Sequence, residues 1–120
     1  MSLTLKQLSE VNLKRAQRWH SGSLDTWSIQ DWLLALCGEV GEAANIGKKL
    51  RRLESKYESK NDAGRQIDSY QQAIDELGNE LADSLAYLDL CATRCGINLE
   101  QVFIKKFNEI SNKYGFEEKL

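Results

Sequence analysis

Two acidic pairs are the side chains in this sequence best suited to chemistry: Glu39 with Glu42 in G-E-V-G-E, and Glu80 with Asp83 in E-L-A-D. A spacing of three residues puts both members of a pair on one side of a helix. With 18 acids in 120 residues, pairs at this spacing arise by chance, so their surroundings carry the argument. In the first segment Leu33, Leu36, Val40, Ala44 and Gly47 form the expected core stripe, with Trp32, Ala35, Glu39, Glu42, Ile46 and Lys49 on the neighbouring strip. In the second, Leu77, Leu81, Leu85, Leu88 and Ala92 form the stripe, bordered by Glu76, Glu80, Asp83, Tyr87 and Leu90. A carboxylate drawn against apolar surface without a partner is costly to keep ionised, and a cation removes that cost. If the two helices run antiparallel, their middles bring four carboxylates together, an oxygen set suited to Mg²⁺ or Mn²⁺, either of which keeps waters and accepts substrate phosphate oxygens. Gly38 and Gly41 would admit a ligand or a second backbone close to the glutamates. The plainer alternative is that both pairs are solvated and serve solubility. A di-iron centre is a poor match, because the Glu-x-x-His pattern is missing and His20 is the only histidine.

The elements that must position these acids are helical. There is no proline, 3.6-residue periodicity dominates, and no segment alternates as a strand does. An all-α fold is predicted, an antiparallel bundle of about four helices completed by oligomerisation. The first helix is expected from about Thr4 to His20, followed by a loop at 21–25. The second should start near Ser28, with Asp31 in its first turn, and end near Leu53 behind Lys48, Lys49, Arg51 and Arg52. The polar tract 54–64 reads as a mobile connection or a frayed helical extension. The third helix is expected from Gln66 to Cys95, stopped by Gly96, and the fourth from Leu99 to Asn112, capped by Asn98 and ended near Gly115.

Composition narrows the setting. The length suits a single domain over 1–120. A net charge of −2 and a pI near 5.5 leave no broad positive field, so polymeric nucleic acid is not an expected partner. No apolar run is long enough to cross a bilayer and the opening M-S-L-T-L-K-Q-L-S-E does not read as a signal peptide, so no membrane partner and a cytoplasmic setting are expected. Cys37, Cys91 and Cys95 form no C-x-x-C pair and are expected to be buried, reduced thiols.

G38-E-V-G-E42, followed by E80-L-A-D83-S-L-A-Y87-L, resembles the E-x-x-E and E-x-x-D signature of the MazG-like all-α nucleoside triphosphate pyrophosphohydrolases, with its motifs closest to the dCTP pyrophosphatase branch. The tail C-G-I-N-L-E-Q-V-F-I-K-K-F-N-E-I-S-N-K-Y-G-F is similar to the family's last helix, so the resemblance spans about 28–116. Where the family has two acids before the first x-x-E, this chain has Gly38-Glu39. The resemblance implies that Glu39, Glu42, Glu80 and Asp83 bind Mg²⁺ and that a nucleoside triphosphate is cleaved to the monophosphate and pyrophosphate, with Glu39 as the group that orients or deprotonates the attacking water. Tyr87 would lie near the nucleotide; Lys48 and Lys49, with Lys106 and Asn108 from the tail, would contact the substrate. Trp19 and Trp27, near His20 and Trp32, occupy the region where relatives stack the base. A homodimer or homotetramer is implied. Phosphoribosyl-ATP pyrophosphohydrolase and a non-catalytic helical oligomer that binds nucleotides or proteins are the competing readings.

Overall fold

A computed structural model describes residues 2–58 and 63–120, the side chains of 55–58 and 63–68 excepted. It contains four helices: α1 (Leu5–Trp19), α2 (Ile29–Glu58), α3 (Ala63–Arg94) and α4 (Leu99–Tyr114). A short 3-10 turn at Leu24–Thr26 precedes α2, and no strand occurs among the described residues. Among the described residues no helix is long and apolar enough to cross a membrane.

Local chemistry sets the helix ends. Thr4 caps α1 by accepting from the Gln7 amide (3.1 Å), and the Gln7 side chain accepts from the Thr4 amide in return (2.9 Å). Ser28 and Asp31 make the same reciprocal pair at the start of α2. α3 ends with the Ile97 amide on the Ala92 carbonyl and Gly96 in the left-handed region, φ +70°, where a side chain would be strained. Asn98 caps α4, and Gly115, also left-handed, ends it. Within the expected polar tract α2 continues to Glu58 and α3 begins at Ala63, three residues before the expected Gln66. Positions 59–62 lie outside the described residues.

The chain forms two compact units, residues 1–32 with 89–120, and residues 33–88. In the first, Ala16, Leu24, Trp32, Leu90, Cys91 and Ala92 are buried. The Trp32 indole N–H donates to the Leu24 carbonyl (2.9 Å), and the His20, Trp27 and Trp32 rings meet at centroid distances of 4.7–4.8 Å. Arg94 braces this cluster: its Nε donates to the Trp27 carbonyl (3.0 Å) and its guanidinium lies 3.3 Å from Asp25. Asp89, 2% exposed, accepts from the Ser9 hydroxyl and from the Asn12 amide (2.9 Å). A buried carboxylate is tolerable when held this way.

In the second unit the α2 and α3 segments run antiparallel: Lys49 meets Glu76, Glu54 meets Tyr70, and Glu39 meets Glu80 and Asp83, so later residues of α2 pair with earlier residues of α3. The side that faces inward is not the expected one. On α2 the buried or half-buried positions of this unit include Ala35, Leu36, Glu39, Ala43, Ile46, Lys49, Leu50 and Leu53; on α3 they include Ala73, Glu76, Leu77, Glu80, Ser84 and Tyr87. The strip that carries the acids is the inner one. Of the expected core stripes, Leu33, Val40, Ala44, Leu81, Leu85 and Leu88 are exposed, Val40 at 51% and Leu81 at 56%. Small alanines at 43 and 73 let the helices approach, and the bulkier leucines are left outside. The cysteines also depart from expectation: Cys91 is buried, but Cys37 and Cys95 are exposed.

Candidate metal centre

The inner strips of α2 and α3 bring Glu39, Glu80 and Asp83 together, each offering one carboxylate oxygen within 4.8 Å of the other two. Glu39 and Glu80 are half-buried and Asp83 is exposed, so the group opens to solvent on the Asp83 side. Glu42 is exposed and stands outside this triplet, but its carboxyl reaches that of Glu80. Sequence spacing thus placed three of the four acids in one group and the fourth against it.

Electrostatics shows the cost of the arrangement. The Glu80 carboxyl is held above its ordinary value of 4.5, first by the hydrogen bond it shares with the Glu42 carboxyl, next by burial, then by the negative charges of Glu42, Asp83 and Glu39. Two carboxylates are both acceptors, so that contact is a hydrogen bond only with a proton between them. Glu39 is also raised, chiefly by burial and then by Glu42 and Asp83. Glu80 Oε2 is buried with no hydrogen-bond partner among the described residues. An acceptor left in that state calls for a proton or a cation.

The donor set fits a hard divalent ion. All the ligand atoms are carboxylate oxygens, no thiol or imidazole belongs to the triplet, and the orphan Oε2 is the kind of atom such an ion satisfies. Among the described residues around the triplet, Lys49 supplies a cation along the same inner strip; its ammonium lies 3.3 Å from Glu76, with both side chains half-exposed. Lys48 is exposed and Tyr87 is half-buried on α3, one turn past Asp83.

Trp19, Trp27, Lys106 and Asn108, also singled out from the sequence, belong to the other unit. Trp19 is 72% exposed with the Arg15 guanidinium 5.4 Å from its ring centroid, whereas Trp27 is packed against His20 and Trp32. Lys106 is exposed. Asn108 is engaged elsewhere: its side-chain amide donates to the Leu120 carbonyl (3.1 Å) and accepts from the Leu120 amide (2.8 Å). Gly38 and Gly41 leave open space: beyond their chain neighbours and their own helix backbone, no described atom lies within 4 Å of the position a Cβ would take. Sequence reasoning placed Glu76 on the acidic line without a role; its opposition to Lys49 emerges only when the two helices are paired.

Searches against family models, curated proteins and solved structures return no match to this chain. The function therefore has to be argued from the geometry and from the resemblance in the motifs.

Proposed function

We infer that the protein is a Mg²⁺-dependent nucleoside triphosphate pyrophosphohydrolase, with Mn²⁺ as an alternative ion, that cleaves non-standard or surplus (deoxy)nucleoside triphosphates to the monophosphate and pyrophosphate. The observation that carries the reading is the convergence of Glu39, Glu80 and Asp83, together with a buried Glu80 oxygen that has no hydrogen-bond partner among the described residues. These three, with Glu42 against Glu80, are the residues that would hold the ion. When bound, the ion supplies neutralisation of phosphate charge and a more acidic water. Glu39 orients the attacking water and accepts its proton; a carboxylate raised above its ordinary value is a better base near neutral pH than an unperturbed one. Lys49, with Lys48 beyond it, meets the negative charge of the polyphosphate. Tyr87 lies one turn past Asp83, in position to pack on the nucleotide.

Assembly as a homodimer or homotetramer is part of the same reading. The outward leucines of the acid-bearing unit, Leu33, Leu81, Leu85 and Leu88 with Val40, are the kind of apolar surface that a second copy covers.

The test is pyrophosphate release from a panel of nucleoside triphosphates with and without Mg²⁺. The expected result is turnover that needs the ion. If no triphosphate, phosphoribosyl-ATP included, is hydrolysed with either ion, the chain is instead a non-catalytic helical module.

A further inference from the structure

Among the described residues Lys49 is the cation on the inner strip with the acids, yet its charge is already engaged by Glu76. Glu76 stands four residues before Glu80, one helical turn, so the residue that holds the Lys49 ammonium lies about 6 Å along α3 from Glu80, backbone to backbone. Lys49 itself follows Glu42 by seven residues, two turns on the same side of α2. A polyphosphate chain anchored at Glu39, Glu80 and Asp83 and running toward Lys49 is long enough to span one turn.

We propose that Glu76 is a latch on Lys49: it holds the ammonium one turn from the acidic triplet in the empty site and yields it to the polyphosphate of an arriving substrate. This rests on the pyrophosphohydrolase reading and adds to it a positioning residue and a penalty on weakly charged ligands. The exchange trades one carboxylate partner of the ammonium for phosphate oxygens, and the released Glu76 carboxylate, 40% exposed, is left to solvent. Both side chains are half-exposed, at 45% and 40%, which keeps the latch weak and therefore releasable. A monophosphate anchored at the ion is too short to reach Lys49 and leaves the latch closed. A triphosphate opens it. The pair thus favours longer polyanions and helps the monophosphate product to leave.

Calorimetric titration of inorganic tripolyphosphate into the full chain with saturating Mg²⁺ tests this without turnover. Glu76→Gln frees the ammonium and should tighten tripolyphosphate binding about two- to fivefold, the range set by a half-exposed ion pair. Lys49→Met should weaken it. In the Lys49→Met background, Glu76→Gln should change nothing. Tightening that persists without Lys49 would mean that Glu76 acts only as a nearby negative charge, and the latch would be discarded; so would unchanged or weaker binding in Glu76→Gln alone. Failure of the underlying reading is seen separately, as a melting temperature that does not respond to Mg²⁺ in the wild type.

Discussion

The two units treat buried acid in opposite ways. Asp89 is almost wholly enclosed, yet both of its oxygens are hydrogen-bonded, one by the Ser9 hydroxyl and the other by the Asn12 amide. Glu80 is less enclosed, but it meets other carboxyls and keeps one oxygen without a partner among the described residues. Burial alone therefore does not mark a site. Asp89 is the deeper acid and is complete as it stands, a cross-link between α1 and the last turns of α3. The triplet around Glu80 is shallower and, among the described residues, incomplete, and such a group calls for a proton, a water or a cation.

The sharpest break between the two regions should come from activity. Asp83→Asn removes a ligand oxygen's charge from the triplet and is expected to lower Mg²⁺-dependent pyrophosphate release roughly 100-fold, with the fold kept because Asp83 is exposed. Turnover at the wild-type rate would take the triplet out of the mechanism.

Stability should then divide the regions by sign. Asn12→Ala strips the Asp89 carboxylate of a charge-assisted bond and should cost about 2 kcal/mol by denaturant midpoint, the same with and without Mg²⁺. Glu80→Gln should do the reverse in metal-free buffer and raise the melting temperature, because it ends the repulsion among Glu39, Glu42, Glu80 and Asp83. In that variant added Mg²⁺ should no longer stabilise. A lower metal-free melting temperature in Glu80→Gln would make Glu80 a structural acid like Asp89.

The same asymmetry has a pH signature. Glu39 and Glu80 titrate above their ordinary 4.5 in the folded chain, so folding favours their protonated forms. That contribution is fully present below 4.5 and is lost as pH rises through the raised values. Metal-free protein should lose stability across that window on these groups' account. Stabilisation by Mg²⁺ should grow across it, since the ion competes with the protons. Melting curves from pH 4 to 8, with and without Mg²⁺, should therefore diverge; parallel curves would show that the raised acids do not bind the ion.

How much of this was legible beforehand follows from where each signal lies. Helix ends with local caps were, as at Ser28 with Asp31, at Gly96, and at Asn98 and Gly115, whereas α2, expected to end near Leu53 behind its basic residues, runs on to Glu58 and α3 begins at Ala63 rather than Gln66. The acidic group was also legible, since two i, i+3 pairs on antiparallel helices have few other places to go. The inward side of α2 and α3 was not. Hydrophobic periodicity finds the greasiest strip, here the one with Leu81, Leu85 and Leu88, but two helices can pack through alanines at 43 and 73 and leave the leucines outside. Asp89 was missed because its partners lie 77 and 80 residues away. A signal existed nonetheless: an acid inside the apolar run of α3 and an asparagine on the apolar side of α1 are two misplaced polar residues that satisfy each other.

The smallest expected effect concerns Gly38, where this chain has glycine in place of an acid of the motif it resembles. A glycine inside a helix costs about 1 kcal/mol relative to alanine, and beyond the local helix backbone and chain neighbours no described atom lies within 4 Å of a Cβ added there. On packing alone, Gly38→Ala should stabilise the protein by up to about 1 kcal/mol, read as a higher denaturant midpoint. If the glycine is kept for close approach of substrate or of a second copy, the same variant gains stability while its KM rises or its assembly weakens. A stability gain with turnover and assembly both unchanged would leave Gly38 with no role at the site, and the Glu39 side of the triplet would then tolerate a side chain next to it. Either result separates the two helices' contributions: α3 supplies the unpartnered oxygen, and Gly38 reports whether α2 must also leave room beside its glutamates.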